Sequence, residues 1–119
     1  MRAFRIYRLI TKAEFKYVFD KAHKINHKYL LVLYRPNQKQ HARIGITIGK
    51  RIVNHAVDRN RIKRVIKESF RINREKVSGF DIVVLIRRQC DLLSKEELRK
   101  GVDYLWEKLV RQHLNQSSS

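Results

Sequence analysis

The chain has 119 residues and 43% hydrophobic content, which predicts one domain with a modest core. Its 28 lysines and arginines outnumber its 11 acidic residues, and the formal net charge of +17 predicts a polyanionic partner. Because no apolar run approaches the ~20 residues of a spanning helix, and no signal peptide precedes the first charged residues, a nucleic acid is favoured over a membrane. The single cysteine, Cys90, excludes an internal disulfide and fits the cytoplasm.

The first ten residues interleave basic and aromatic side chains, namely Arg2, Phe4, Arg5, Tyr7 and Arg8. Two interpretations stay open for this segment. It is an arm along an RNA backbone, or a solvated terminus whose apolar residues cover the edge of the core.

A helix is predicted from residue 12 to about residue 21. Thr11 and Glu14 have the spacing of a capping box, and Ile10 with Phe15 has that of a hydrophobic staple. One face of this helix carries Phe15, Val18, Phe19 and Ala22. From the pattern alone, this face is expected to pack in the core.

Two strands are predicted next, at residues 29–34 and 43–49. The second alternates isoleucines with Gly45, Thr47 and Gly49, so its isoleucines should face the core. Bare glycines on the other face allow close approach of a ligand, or mark a bend. The polar turn between the strands predicts a hairpin and an antiparallel pair. Residues 23–26 are predicted as an optional edge strand.

A strongly basic helix is predicted up to about residue 75, with Asn54 as its N-cap. Ile62, Val65, Ile66 and Phe70 recur at the spacing of one apolar face. Between residues 59 and 71 there are six basic side chains and one acid, Glu68. Crowding like charges costs free energy, so this pattern predicts a helix that is docked on a core and binds phosphates.

The remaining elements are an interior strand at residues 80–86 and a last helix. That helix begins with a second capping box, Ser94 with Glu97, and a staple of Leu93 with Leu98. The order α-β-β-(β)-α-β-α predicts an α/β (α+β) sandwich, with helices packed on a small mixed sheet of three to four strands. We expect a single RNA-binding domain over residues 1–114 and a flexible tail at 115–119.

No constellation of catalytic residues is evident. The acids are scattered, whereas a two-metal site needs clustered carboxylates, and the histidines show no zinc spacing with Cys90. Glu68 is interpreted as charge relief between Arg64 and Arg71, with a role beside a hydrated metal as the alternative. By itself the chain is predicted to bind and not to catalyse, with no catalytic or metal-ligating residue.

The run RNRIKRVIKE at residues 59–68 closely resembles the signature of the bacterial ribonuclease P protein subunit. Lys67 departs from the family, which usually has arginine there. The first helix, residues 43–51 and residues 80–84 also match the family's pattern, so the resemblance covers nearly the whole chain. It implies a protein cofactor of a ribozyme, in which the RNA subunit performs the Mg²⁺-dependent removal of the 5′ leader from precursor tRNA. It also implies a left-handed crossover between parallel strands, against the usual right-handed form.

The resemblance further implies two RNA-binding sets, a broadened range of substrates, magnesium held mainly by the RNA subunit and no obligate protein partner. The set expected to bind the catalytic RNA is Lys50, Arg51, Arg59, Asn60, Arg61, Lys63, Arg64, Lys67 and Arg71. The set expected in the leader-binding cleft is Phe15, Phe19, Tyr29 and Tyr34. One alternative is a stand-alone RNA-binding protein of the ribosomal type. The other is a protein nuclease, and the scattered acids argue against that one.

Overall fold

The computed structural model describes residues 8, 9 and 11–117. Within these residues, three helices and four strands follow the predicted order, including the optional edge strand. They are α1 (Lys12–Asp20), β1 (His23–Asn26), β2 (Leu30–Pro36), β3 (Arg43–Thr47), α2 (Ala56–Asn73), β4 (Phe80–Ile86) and α3 (Lys95–Ser117), with a short 3₁₀ turn at Cys90–Leu92 before α3. The predicted tail therefore begins inside α3, and Ser118 and Ser119 lie outside the described residues.

The strands form one mixed sheet in the order β1-β2-β4-β3. β1 pairs with β2, and β2 with β4, in antiparallel fashion, whereas β3 pairs with β4 in parallel. The predicted hairpin pairing of β2 with β3 is wrong, because β4 lies between them. β4 is apolar along almost its whole length, and such a strand is best buried when it has a neighbour on each side. The hand of the β3–α2–β4 connection stays a prediction.

The two faces of the sheet are covered unequally. α2 and α3 pack on one face and enclose the main core, whose largest buried side chains include Trp106, Tyr34 and Phe70. α1 covers part of the other face through a small cluster of Leu9, Val18, Leu33 and Val83. This second face is therefore left partly open beside α1.

Both predicted capping boxes are confirmed. Thr11 and Glu14 exchange hydrogen bonds of 2.9 and 3.1 Å, as do Ser94 and Glu97. The Ser94 backbone N–H lowers the pKa of the exposed Glu97 carboxyl. The staple partner Ile10 lies outside the described residues.

The start of α2 differs from the prediction. His55 occupies the N-cap position without a side-chain cap, so the prediction that Asn54 caps this helix is wrong. The Asn54 carbonyl instead accepts a hydrogen bond of 2.9 Å from the Arg59 guanidinium. This bond fixes the segment before α2 but is not a cap, because a guanidinium only donates and a cap must accept from the free helix N–H groups.

α2 and α3 are joined by a polar contact within the main core. Ser69 Oγ accepts a 2.8 Å hydrogen bond from Trp106 Nε1 and donates to the Asp103 carboxylate. The ion pair formed by Glu68 is with Arg99 of α3, at 3.9 Å, and not with the neighbouring arginines of its own helix. In the described ranges, no helix combines the length and apolar character needed to cross a membrane.

Candidate nucleic-acid interface

The outward face of α2 carries exposed polar side chains. Asn60, Arg64 and Arg71 are exposed, while Lys63 and Lys67 are partly buried. Neither Arg64 nor Arg71 forms an ion pair with any residue that the structure describes. Burial, followed by the charges of Arg8 and Lys63, lowers the pKa of Lys67. The two unpaired arginines, together with the lysines beside them on α2, give the electrostatic pattern of a phosphate-binding surface.

Two arginines predicted to bind the catalytic RNA, Arg59 and Arg61, also form hydrogen bonds within the protein. Arg59 Nη1 donates to the carbonyl oxygens of Val53 and Asn54, at 2.8 and 2.9 Å. Arg61 donates to the carbonyls of Asp91 and Leu93, at 2.8 and 3.2 Å, and so fixes the turn before α3. A guanidinium has five N–H donors, so each retains donors beyond these bonds. The flanking segment, with exposed Lys50 and Arg51, leads directly into this end of α2.

A pocket of about 250 Å³ connects α2 with α1 across the edge strand β3. Its walls include the ring of Phe15 and the cationic side chains of Arg8, Lys63 and Lys67. Leu9, beside Arg8, donates a 2.9 Å backbone hydrogen bond to the Ile44 carbonyl of β3. The cations of α2 and the aromatic side of α1 therefore meet at one continuous surface.

Gly45 lies at the base of this pocket. A Cβ atom there would come within 2.5 Å of Phe15 Cζ, so the missing side chain makes room for the phenylalanine ring. The sequence left open whether this glycine admits a ligand or marks a bend. The structure shows that the space is taken by Phe15, which is partly buried.

Beyond α1 this face of the sheet is only partly covered. Leu31, Leu85 and Thr47 are register partners on neighbouring strands, and none of them is fully buried. Phe19, which follows the buried Val18, is 47% exposed. Phe15 and Phe19 thus belong to the helix on the less covered face of the sheet, and their place in a leader-binding cleft stays a prediction.

The two tyrosines predicted in this cleft lie elsewhere, and that prediction is wrong. Tyr34 is fully buried on the opposite face, where its hydroxyl accepts a 2.9 Å hydrogen bond from Gln112. Burial raises the pKa of this phenol. Alternation along β2 places Tyr34 with Leu30 and Val32, towards α2 and α3. Tyr29 is partly buried and packs against the same main core.

Tyr17 of α1 is an aromatic residue that the sequence pattern did not mark, because it lies off the predicted apolar face. It is 39% exposed, and its hydroxyl donates a 3.0 Å hydrogen bond to the Pro36 carbonyl. The Arg35 guanidinium lies 3.7 Å from its ring centroid. This stacked pair extends the aromatic and cationic surface along α1.

A buried ion cluster holds α1 against the sheet. Asp81 is fully buried and accepts hydrogen bonds from Arg43 Nε at 2.9 Å, Arg43 Nη2 at 2.7 Å and Asn37 Nδ2 at 2.8 Å. Arg43 Nη1 also binds the Glu14 carboxylate of α1. The sequence pattern did not predict this cluster, although Asp81, a single acid within an apolar strand, was an available signal. Within the described ranges, no three His, Cys, Asp or Glu side chains are grouped so as to hold a metal ion.

The family model and the solved structures that match this chain name the same protein, ribonuclease P. The family model described as Ribonuclease P matches residues 4–110. The chain is similar to a Staphylococcus aureus RNase P protein mutant with defective mRNA degradation activity, with 25% identity and a TM-score of 0.82 over 88% of this chain and 89% of that one. It is also similar to the Thermotoga maritima RNase P protein in complex with 1-(4-fluorophenyl)-2-thiourea, with 29% identity and a TM-score of 0.76 over 83% and 96% of the two chains.

Proposed function

The chain belongs to the bacterial ribonuclease P protein family, and from this premise we propose that it is the non-catalytic, RNA-binding subunit of the holoenzyme. In this role it binds the catalytic RNA and the 5′ leader of precursor tRNA in the cytoplasm, and broadens the range of substrates. The RNA subunit carries out the magnesium-dependent hydrolysis that releases the leader. Membership of the family confirms the resemblance found at residues 59–68.

The observation that carries the proposal is the pocket at β3, which joins the cations of α2 to the aromatic side of α1. An RNA backbone on α2 is thereby adjacent to a surface where unpaired bases have rings to stack on. Arginines and lysines of α2 would bind phosphates of the catalytic RNA. Phe15 and Phe19 would bind leader bases by stacking, which is worth about 1–3 kcal/mol per base.

In this role the protein does not cleave the phosphodiester bond, and the RNA subunit does. Several acidic side chains have structural roles, because Glu14 and Asp81 bind Arg43 while Glu68 and Asp103 pair with Arg99. Magnesium bound mainly by the RNA would supply the charge stabilisation that hydrolysis requires. The protein would contribute substrate affinity and orientation.

The test is cleavage of a precursor tRNA by a bacterial ribonuclease P RNA at low magnesium, with and without this protein. We expect faster cleavage and tighter substrate binding with the protein present. No gain in either quantity would contradict the proposal and favour a stand-alone RNA-binding protein. Cleavage by the protein alone, in a preparation free of RNA, would favour a protein nuclease.

The Phe19→Ala variant distinguishes leader binding by the aromatic side of α1 from RNA binding by α2. Losing one stacking ring should weaken binding of leader-bearing tRNA by roughly 5- to 150-fold, with little effect on mature tRNA. The ratio of the two dissociation constants, measured with the assembled holoenzyme, reports this change. Leu114→Ala removes an exposed apolar side chain of α3 that belongs to neither RNA-binding surface, and it is the matched control. Equal loss for both tRNAs would show that Phe19 does not contact the leader.

A further inference from the structure

A second basic surface lies at the opposite edge of the sheet from β3. β1 is the other outer strand, and α3 packs beside it, with Gln112 Nε2 donating to the Lys24 carbonyl at 3.3 Å. The two outer strands are three strand spacings apart, roughly 14 Å. The side chains at this edge therefore face different surroundings from those of α2.

α3 presents a stripe of basic and aromatic side chains along this edge. Lys100, Tyr104, Lys108 and Arg111 follow the i, i+4, i+8, i+11 spacing that places residues on one helix face. Tyr104 is 49% exposed, and the Arg111 guanidinium lies 5.8 Å from its ring centroid. Cations interleaved with an exposed ring are suited to a nucleic-acid backbone and its bases.

The turn between β1 and β2 adds to the same edge. Gly101 of α3 leaves room for His27, whose Nε2 would lie 3.4 Å from a Cβ at that position. Arg87 binds the His27 carbonyl at 2.8 Å and the Asn26 side chain at 2.7 Å, which fixes the turn. Burial, then the charges of Arg87 and Lys108, lowers the pKa of His27. Lys28, whose Nζ lies 5.3 Å from the Tyr29 ring, follows directly.

The cations of this surface outnumber the acid on the same face of α3, Glu107, which pairs with Lys76 at 3.9 Å. None of its five cations, Lys24, Lys28, Lys100, Lys108 and Arg111, forms an ion pair with a residue in the described ranges. A lysine on an edge strand protects that strand from pairing with another chain and aggregating, and this role explains Lys24 of β1. It does not account for the stripe on α3, whose cations cost repulsion.

We propose that this β1–α3 edge, formed by Lys24, Lys28, Lys100, Tyr104, Lys108 and Arg111, is a second phosphate-binding surface for RNA. It goes beyond the proposed function, because it holds a backbone segment other than those on α2 and in the cleft beside α1. The segment belongs to the catalytic RNA or to the body of the tRNA, which offer the same phosphodiester chemistry. With two opposite edges engaged, the protein bridges two parts of the ribonucleoprotein.

The first test compares the salt dependence of RNA binding between two double variants of equal charge. Lys108→Gln plus Arg111→Gln should lower the slope of log affinity against log salt by about two units, since each lost phosphate contact removes about 0.9. Lys16→Gln plus Lys39→Gln, two exposed lysines on α1 and between β2 and β3 that form no ion pair with a described residue, should leave the slope unchanged. Catalytic RNA and precursor tRNA are measured separately. Equal slopes for both variants on both RNAs would overturn the proposal.

A tethered probe identifies the source of the bound segment. Cys90 is buried, with its pKa raised to about 11 by that burial, so an iron chelate will label the thiol introduced by Arg111→Cys. Hydroxyl radicals from this position should cut either the catalytic RNA or the tRNA at a confined site. The same label at Arg71→Cys is the reference for α2. Cutting from α2 but not from the edge would sink this inference alone, and cutting from neither would sink the proposed function too.

Discussion

Arg43→Ala should destabilise the protein by about 3–5 kcal/mol, the cost of removing one partner from a buried ion pair. Asp81 has no exposure to water, and two of its three hydrogen bonds come from the Arg43 guanidinium. Without that guanidinium the carboxylate stays buried with only Asn37 as a donor. Urea unfolding, followed by circular dichroism, measures the loss in the free energy of unfolding.

The matched control is Arg71→Ala, which removes an exposed arginine that pairs with no described acid. Its free energy of unfolding should change by no more than about 0.5 kcal/mol. Arg43→Lys tests geometry, because an ammonium cannot reproduce the paired guanidinium bonds. It should recover only part of the stability. Equal stability of Arg43→Ala and the control would show that this cluster does not hold α1 on the sheet.

The second large effect is expected for Arg64→Ala plus Arg71→Ala. If each side chain binds one phosphate, affinity for the catalytic RNA should fall roughly 10- to 100-fold at 0.1 M salt. Neither arginine is used in an internal ion pair within the described residues, so stability should be preserved. Filter binding or fluorescence anisotropy with the RNA subunit measures the affinity.

Arg61→Ala should behave differently from this pair. Because Arg61 holds the carbonyls of Asp91 and Leu93, its loss should lower stability as well as RNA affinity. Lys39→Ala plus Lys76→Ala controls for the change of net charge. Should that control weaken RNA binding as much as Arg64→Ala plus Arg71→Ala, the binding would be non-specific attraction and not a property of α2.

The approximate position of most elements was predictable because local signals mark them. Capping boxes set the starts of α1 and α3, and the 3.6-residue apolar period marked the docked face of α2. Strand pairing was not predictable in the same way. The turn after β2 has the composition of a hairpin, but the apolar β4 gains more burial by lying between β2 and β3.

The sequence shows which kinds of side chain are present. It does not show which way each side chain points or which residues it contacts. The excess of cations, the basic helix and the lack of a catalytic cluster together predicted a binder of RNA, since composition alone sets the sign of the charge. Tyr34 and Phe19 are both aromatic, yet only packing decided that one is buried against Gln112 and the other open. Likewise only tertiary contacts separated Arg61, which binds backbone carbonyls, from Arg64, which faces outward. Such differences depend on which surfaces meet in three dimensions, and those contacts join residues far apart in the chain.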